Sequence, residues 1–390
     1  MAGKRTSKVV TRLACSSADC IHYFWPTTPI RDRRADIAVT ALTRPNFEAW
    51  QVDLDAPRGR PGSPTAEIAR LVEFGVLAPS SHNSQPWIFV VGDDYIEIAP
   101  DYERCLPASD PDERQLYVSL GCAAEAVLQA ADALGYRAQM TPLDLGDRWH
   151  LRIDLERPEV RRSVPADHMA RGLVTRATNR SAHDMTPLPA AFVEAVDAAD
   201  DDELSVSLLP DRSSCAAIAE LVVEGSGVVM KDRGFRRELA DYMIPNNSRR
   251  FVGMPGDTMG LGLITSAVVP PVLRVISPPK QRAEHDRVLL GEKTTAFVVV
   301  ASSTDGPPGW AAGGRMYMRL ALVAERLGVS TNNHAASSGH ASSRTALAHI
   351  AGTDKTPTIC FRVGCATKAV PHAPRLPAKQ VTVYGPQEST

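Results

Sequence analysis

Two stretches of this 390-residue chain resemble each other, and this internal repeat limits the folds that the chain can adopt. Residues 119–136 align with residues 312–329 without a gap, and both stretches read as the end of a helix followed by Leu-Gly, a common type of helix end. A glycine at that point is typical of a left-handed helix cap. Four aligned positions are identical: Gly121 with Gly314, Ala131 with Ala324, Leu134 with Leu327 and Gly135 with Gly328. The repeat predicts two related modules.

The apolar periodicity predicts an α+β fold in each module. In the first, helical spacing after Ser63-Pro64 leads to a polar loop and then to a hairpin, a long helix and two strands. The second repeats this outline in part. The predicted elements are helices at 64–77, 110–134, 187–198 and 213–229, and strands at 87–91, 95–98, 137–141, 149–154 and 204–209.

The predicted boundaries give an appendage and two modules. Residues 1–62 lack a sustained period and are expected to form a poorly ordered or loosely docked arm. The first module covers residues 63–165 and the second covers residues 166–390. Within the second, residues 242–286 are rich in Gly, Pro and Asn, which is typical either of a functional lid or of a disordered insert.

Composition and overall charge give no sign of several classes of partner. A net charge of -2 gives no electrostatic reason to expect nucleic acid or an anionic membrane, and aromatic residues make up only 6% of the chain. The seven cysteines are scattered and show no zinc-ligand spacing, so no metal is expected. No apolar run approaches the ~20 residues that span a bilayer, which favours a cytoplasmic location.

The most informative local feature is the loop at residues 78–87, Ala-Pro-Ser-Ser-His-Asn-Ser-Gln-Pro-Trp. Every side chain from Ser80 to Gln85 is polar, and Pro79 and Pro86 stiffen the segment. Such a loop suits a planar polar ligand. The alternative is a capped helix end that leads into a strand, with Trp87 in the core.

Two further motifs carry positive charge. Arg176 and Arg180 lie four residues apart, with Thr178 and Asn179 between them, and two guanidinium groups in this arrangement can surround a phosphate. The alternative is a solvated helix face. Near the C-terminus, Arg375 lies between prolines in Pro-Arg-Leu-Pro, so that it either reaches a ligand or belongs to a simple tail.

Taken together, these motifs resemble those of the flavin-dependent nitroreductase family. The loop at 78–87 resembles the family's signature loop, Arg-Ala-Thr-Asn-Arg at 176–180 resembles its Arg-Arg-Ser-x-Arg phosphate motif, and Pro-Arg-Leu-Pro at 374–377 resembles its C-terminal Ser-Arg-Leu-Pro. Here each module keeps a different half: the first has the loop, whereas the second has the phosphate motif and the acidic segment 199–203 in place of the loop. This division resembles the fused, single-chain Acg-type subgroup.

The resemblance implies one FMN per chain, bound between two modules that form an internal pseudo-dimer within a monomer. Pro79, Ser80, Ser81 and Asn83 would contact the isoalloxazine. Arg176, Thr178, Asn179 and Arg180 would hold the phosphate and ribityl chain, with help from Arg375. Gly339 would offer a backbone N–H toward flavin N5. No side chain is expected to act as a catalytic acid or base.

The function that the resemblance implies is NAD(P)H-dependent hydride transfer through FMN to a nitroaromatic or quinone-like acceptor. The rival function is flavin sequestration or storage beneath a closed lid with little turnover. A third possibility is a degenerate pseudo-dimer that binds no flavin and serves as an interaction module. The sequence does not distinguish a mobile lid from a locked one.

Overall fold

The computed structural model describes residues 44–55, 64–146, 148–157, 164–165, 168–277, 280–335, 339 and 341–385. Most of the predicted appendage, residues 1–43 and 56–62, lies outside this set. The described chain has two modules, each built on its own antiparallel sheet. The α+β fold with two tandem modules and an insertion is therefore confirmed.

The first module has the predicted order of elements. Its sheet takes the strand order β11-β1-β2-β4-β3, with the C-terminal strand β11 added to the edge of β1 in parallel. The elements are α1 (Pro64–Gly75), β1 (Trp87–Val91), β2 (Tyr95–Pro100), α2 (Arg114–Ala133), β3 (Arg137–Asp144) and β4 (Trp149–Glu156), with β11 at Thr382–Tyr384.

The second module repeats the strand order of the first. Its sheet runs β5-β8-β10-β9, which matches β1-β2-β4-β3 strand for strand, and within each of these sets of four the neighbouring strands are antiparallel. The elements are α3 (Ala190–Asp197), β5 (Leu204–Leu209), β8 (Ala296–Ser302), α8 (Pro307–Arg326), β9 (Ser330–Asn333), α9 (Ala341–Ala351) and β10 (Thr356–Gly364), followed by α10 (Ala378–Val381).

The two long helices α2 and α8 pack directly on each other between the sheets, and glycines allow their backbones to approach. A Cβ added at Gly121 would lie 2.0 Å from the carbonyl oxygen of Ala311, and one added at Gly314 would lie 2.0 Å from that of Val118. Each glycine therefore faces the residue three positions before its counterpart. Gly121 and Gly314, which the sequence repeat aligns with each other, thus make equivalent contacts across the interface between the two helices.

The ends of these helices also match. Gly135 and Gly328 take φ values of 83° and 71°, as left-handed caps require. In both caps the residue after glycine donates its N–H back into the helix: Tyr136 to Ala131 O at 2.9 Å, and Val329 to Ala324 O at 2.8 Å.

The hairpin turn of the first module is replaced in the second by an insertion between β5 and β8. It contains α4 (Arg212–Val229), α5 (Arg233–Tyr242), β6 (Met243–Ile244), β7 (Met254–Pro255), α6 (Leu263–Leu273) and α7 (Lys280–Gly291). Residues 242–277 are folded, which excludes the disordered alternative for them. Within the described residues no single helix is long and apolar enough to cross a membrane, although α4 and α5 together, bent by 103°, meet that test by length and composition.

The described part of the N-terminal arm differs from expectation. The 3₁₀ helix Pro45–Gln51 buries Asn46, Phe47 and Trp50 against the rest of the protein. Asn46 donates to the carbonyl oxygens of Ser248 and Arg250 in the insertion, and its own carbonyl accepts from Arg375 N–H. Residues 44–55 are thus part of the packed core and not a loosely docked arm.

Two glycine-to-alanine substitutions should have opposite effects on stability, because Gly314 lies in the contact between α2 and α8 and Gly227 does not. Gly314→Ala should lower the free energy of unfolding by about 2–3 kcal/mol, because the new Cβ would overlap the Val118 carbonyl. Gly227→Ala, in α4 with open space around it, should raise the free energy by about 0.5–1 kcal/mol. Denaturant unfolding measures both. Equal destabilisation by the two changes would contradict this account of the interface.

Candidate functional site

The loop at 79–87 follows α1 in an unusual backbone conformation. His82, Asn83 and Gln85 have φ values of 49°, 55° and 56°, in the left-handed region that side chains disfavour. Each such residue costs about 1–2 kcal/mol, so the loop persists only because its surroundings fix it. One restraint is internal, since Gln85 N–H donates to Ser80 Oγ at 2.9 Å.

The amide side chains of the loop tie it to two distant parts of the chain. Asn83 Nδ2 donates to the carbonyl oxygens of Gly253 and Pro374, at 2.9 and 3.0 Å. The side chain of Gln85 donates to Phe251 O at 2.8 Å and accepts from Leu376 N–H at 2.8 Å. The insertion and the C-terminal tail therefore meet at this loop, and each buried amide has partners at both its nitrogen and its oxygen.

The arginine motif lies at the edge of the second module's sheet. Thr178 bridges to Thr331 in β9, and Asn179 N–H donates to Thr331 O at 3.0 Å. The Asn179 side chain folds the next turn, because it accepts from Ser181 N–H and donates to Lys368 O at 2.7 Å. These bonds fix the backbone between Arg176 and Arg180, with Asn179 in a structural role.

Arg176 and Arg375 are buried, Arg180 is partly buried beside them, and none of the three has an acidic partner among the described residues. Arg176 is 2% exposed, reaches only Leu77 O at 3.4 Å, and leaves Nε and Nη1 without a hydrogen-bond partner. Arg180 donates to Thr258 O at 3.2 Å. Arg375 donates to Asn83 Oδ1 at 2.6 Å and to Leu77 O at 3.2 Å, which leaves its Nε unpartnered.

Burial lowers the pKa of two of these arginines, and at one of them the charge of a neighbouring arginine adds to the effect. Burial, followed by the charge of Arg176, lowers the pKa of Arg375 to about 9. Burial also lowers the pKa of Arg180. Behind them, burial and the charge of Arg180 lower the pKa of Arg362 to about 10. A buried cation without a counter-ion is costly, so this cluster favours an anionic ligand.

The loop and the arginines face one cleft of about 480 Å³, including space open to solvent. Seven predicted site residues line it: Pro79, Ser80, Asn83, Arg176, Thr178, Arg180 and Arg375. Ser81, Asn179 and Gly339 are not among its lining residues. Gly339 is exposed, and its carbonyl accepts from Arg344 at 3.0 Å.

Sequence reasoning missed part of the lining. Met254 and Thr258 come from the insertion, and Trp50 and His372 form one wall. The rings of Trp50 and His372 stack with centroids 3.9 Å apart, and Trp50 Nε1 donates to Ala373 O at 2.8 Å. The only local signal for Trp50 was a proline-initiated turn with two aromatic residues three apart.

The chemistry of this cleft fits a phosphate-bearing ligand with a planar polar part. Unpartnered guanidinium N–H groups suit phosphate oxygens, whereas the stiff loop across the cleft presents the Ser80 hydroxyl and the Pro79 ring to a planar ring system. Among the described residues no cluster of His, Cys, Asp and Glu could hold a metal ion.

Comparison with solved structures gives low overall similarity. A nitroreductase from Sphigopyxis sp. strain HMH, described as FMN- and NADPH-dependent, has a TM-score of 0.37 at 16% identity, with 56% of this chain and 99% of that chain covered. A putative nitroreductase from Anabaena variabilis has a TM-score of 0.46 at 10% identity, with 79% and 90% covered. Both TM-scores are below 0.5, so the evidence for the fold is the order of the strands in the two sheets.

Sequence comparison gives a more specific result. No family model matches the chain. Two curated proteins from strains of Mycobacterium tuberculosis, each named "Putative NAD(P)H nitroreductase", are 34% identical over 128 residues, which is 32% of this chain. The chain spans 37% of the length of these relatives. Over the matched residues, the similarity supports a relationship between this chain and the nitroreductase family.

Proposed function

We propose that the chain is an FMN-binding oxidoreductase that transfers hydride from NAD(P)H to a nitroaromatic or quinone-like acceptor. The observation that carries this proposal is the cleft lined by Arg176, Arg180 and Arg375, which have no carboxylate partners among the described residues. The choice of NAD(P)H as hydride donor is supported by the similarity to the two relatives named "Putative NAD(P)H nitroreductase".

Each wall of the cleft has its own task in this proposal. Arg176 and Arg180 bind the phosphate, and the free Nε and Nη1 of Arg176 supply two of the donors. Arg375 adds charge and fixes Asn83 through its 2.6 Å hydrogen bond. Pro79 and Ser80 orient the ring system. Bound FMN supplies the hydride chemistry, and the chain contributes position, electrostatic stabilisation and exclusion of water.

The two modules act as an internal pseudo-dimer with one complete site, so the proposed active species is the single chain. The counterpart of the Pro79–Asn83 loop in the second module is the acidic segment 199–203. Two carboxylates of this segment accept hydrogen bonds from nearby backbone N–H groups. Asp201 accepts from the N–H groups of Glu203 and Leu204, and Asp200 accepts from that of Val206. This segment offers acidic groups where a flavin would need donors.

Flavin sequestration is the second candidate, and the insertion supports it. Gly253 and Asn83 exchange backbone and side-chain hydrogen bonds, and Thr258 accepts from Arg180. The insertion is thus bonded to both walls of the cleft. A lid held in this way would restrict the approach of nicotinamide and acceptor to the flavin.

The visible spectrum of the purified protein should distinguish the two candidates. We expect a yellow protein whose flavin bands bleach when NADPH is added without oxygen and return with an acceptor. A yellow protein that does not bleach, although dithionite reduces it, would favour sequestration. A colourless protein that takes up no added FMN would contradict both candidates and favour the interaction module.

Loss of the Arg180 guanidinium should weaken flavin binding. Arg180→Ala removes a partly buried charged donor that lines the cleft, so the affinity for FMN should fall about tenfold to a hundredfold. Fluorescence titration with FMN measures the effect. Arg137→Ala, on the exposed edge of β3, is the matched control and should bind as the wild type does. Equal flavin retention by both variants after gel filtration would remove the phosphate assignment.

A further inference from the structure

Helix α6, in the insertion, exposes an unusual amount of apolar surface. Six of the twelve exposed large hydrophobic residues in the described chain lie between residues 263 and 276. Their exposed fractions range from 47% for Val272 to 78% for Ile264. The six are Leu263, Ile264, Val268, Val272, Val275 and Ile276. Such a concentration of exposed apolar surface marks an interaction site.

The distribution around the helix differs from that of an ordinary surface helix. Ser266, Pro270 and Leu273 form the side that packs on the protein. The opposite side carries Ile264, Val268 and Val272 at four-residue spacing, where polar residues normally face water. A helix that is apolar all round belongs in a core or at a membrane, and this one is covered on one side only by the described residues.

Basic side chains surround the end of this apolar face. Arg274 pairs with Asp241, and Arg250 donates to the backbone of Asp241 at 2.8 Å. Ser277 donates to Met230 O at 3.3 Å, which places Lys231 near the same end. Residues 228–277 contain seven Lys and Arg against four Asp and Glu, although the whole chain has a net charge of -2.

We propose that α6 is an interfacial anchor that lies on an anionic lipid bilayer. Aliphatic side chains with adjacent basic groups match a lipid surface, whose acyl chains accept the former and whose headgroups attract the latter. At 11 residues, or about 16 Å, the helix is long enough to lie in the interface and too short to span it.

This docking would orient the cleft relative to the lipid surface. The 3₁₀ helix Gly256–Met259, which carries the cleft residue Thr258, lies directly before α6. Ser266 of α6 accepts from Asn246 N–H at 3.2 Å, so the anchor and this part of the insertion are joined. The proposal concerns the surface alone and holds whether or not the cleft binds flavin.

Vesicle flotation of the full chain tests the proposal. The wild type should float with vesicles of phosphatidylcholine and phosphatidylglycerol, and less so at high salt or with phosphatidylcholine alone. The triple variant Ile264→Gln, Val268→Gln, Val272→Gln should bind the vesicles at least about tenfold more weakly than the wild type. The double variant Leu145→Gln, Val383→Gln removes exposed aliphatic groups elsewhere and should float as the wild type does.

Three results would overturn the proposal. The first is a wild-type protein that does not float with anionic vesicles. The second is a triple variant that floats as well as the double variant while both keep the wild-type melting temperature. The third is light scattering that shows a wild-type dimer, dissociated by the triple variant, without flotation; the face would then bind a second copy.

Discussion

The contact between α2 and α8 is the interaction on which the rest of the structure depends. Because Gly121 and Gly314 lack side chains, the two helices approach until each glycine meets a backbone carbonyl of the other. Three charged hydrogen bonds lie beside this contact, where Arg315 and Arg319 reach the fully buried Glu125. This packing fixes one sheet relative to the other and thereby sets the distance between the polar loop of the first module and the arginines of the second.

The cleft combines rigid and costly features. The loop has three left-handed residues and lies beside two buried arginines, Arg176 and Arg375. Hydrogen bonds to parts of the chain that are far away in sequence hold Asn83, Gln85 and Arg375 in place. Local strain maintained by distant contacts is typical of sites whose geometry is selected for function. An anion that enters the cleft would offset the electrostatic cost of its uncompensated positive charge.

Much of this architecture could be predicted from the sequence, and the failures have physical causes. The repeat, the first hairpin and the loop could be predicted because local patterns of apolar spacing and glycine determine them, and tertiary contacts do not override these patterns. Strands β8 and β10 are buried on both faces, so they lack the alternation that identifies a strand. Trp50 lies in a short segment without a period of its own, held by contacts to residues more than 190 positions away. Gly339 was placed by analogy alone, and its carbonyl bonds to the neighbouring α9.

The addition of β11 to β1 has a consequence for the order in which the protein matures. The edge of the first sheet is completed by residues 382–384, and the polar loop receives Pro374, Arg375 and Leu376. A ribosome that has made the whole first module has therefore not yet supplied one wall of its cleft. Both walls of the cleft are present only after residues 374–384 have been synthesised and the two modules have docked.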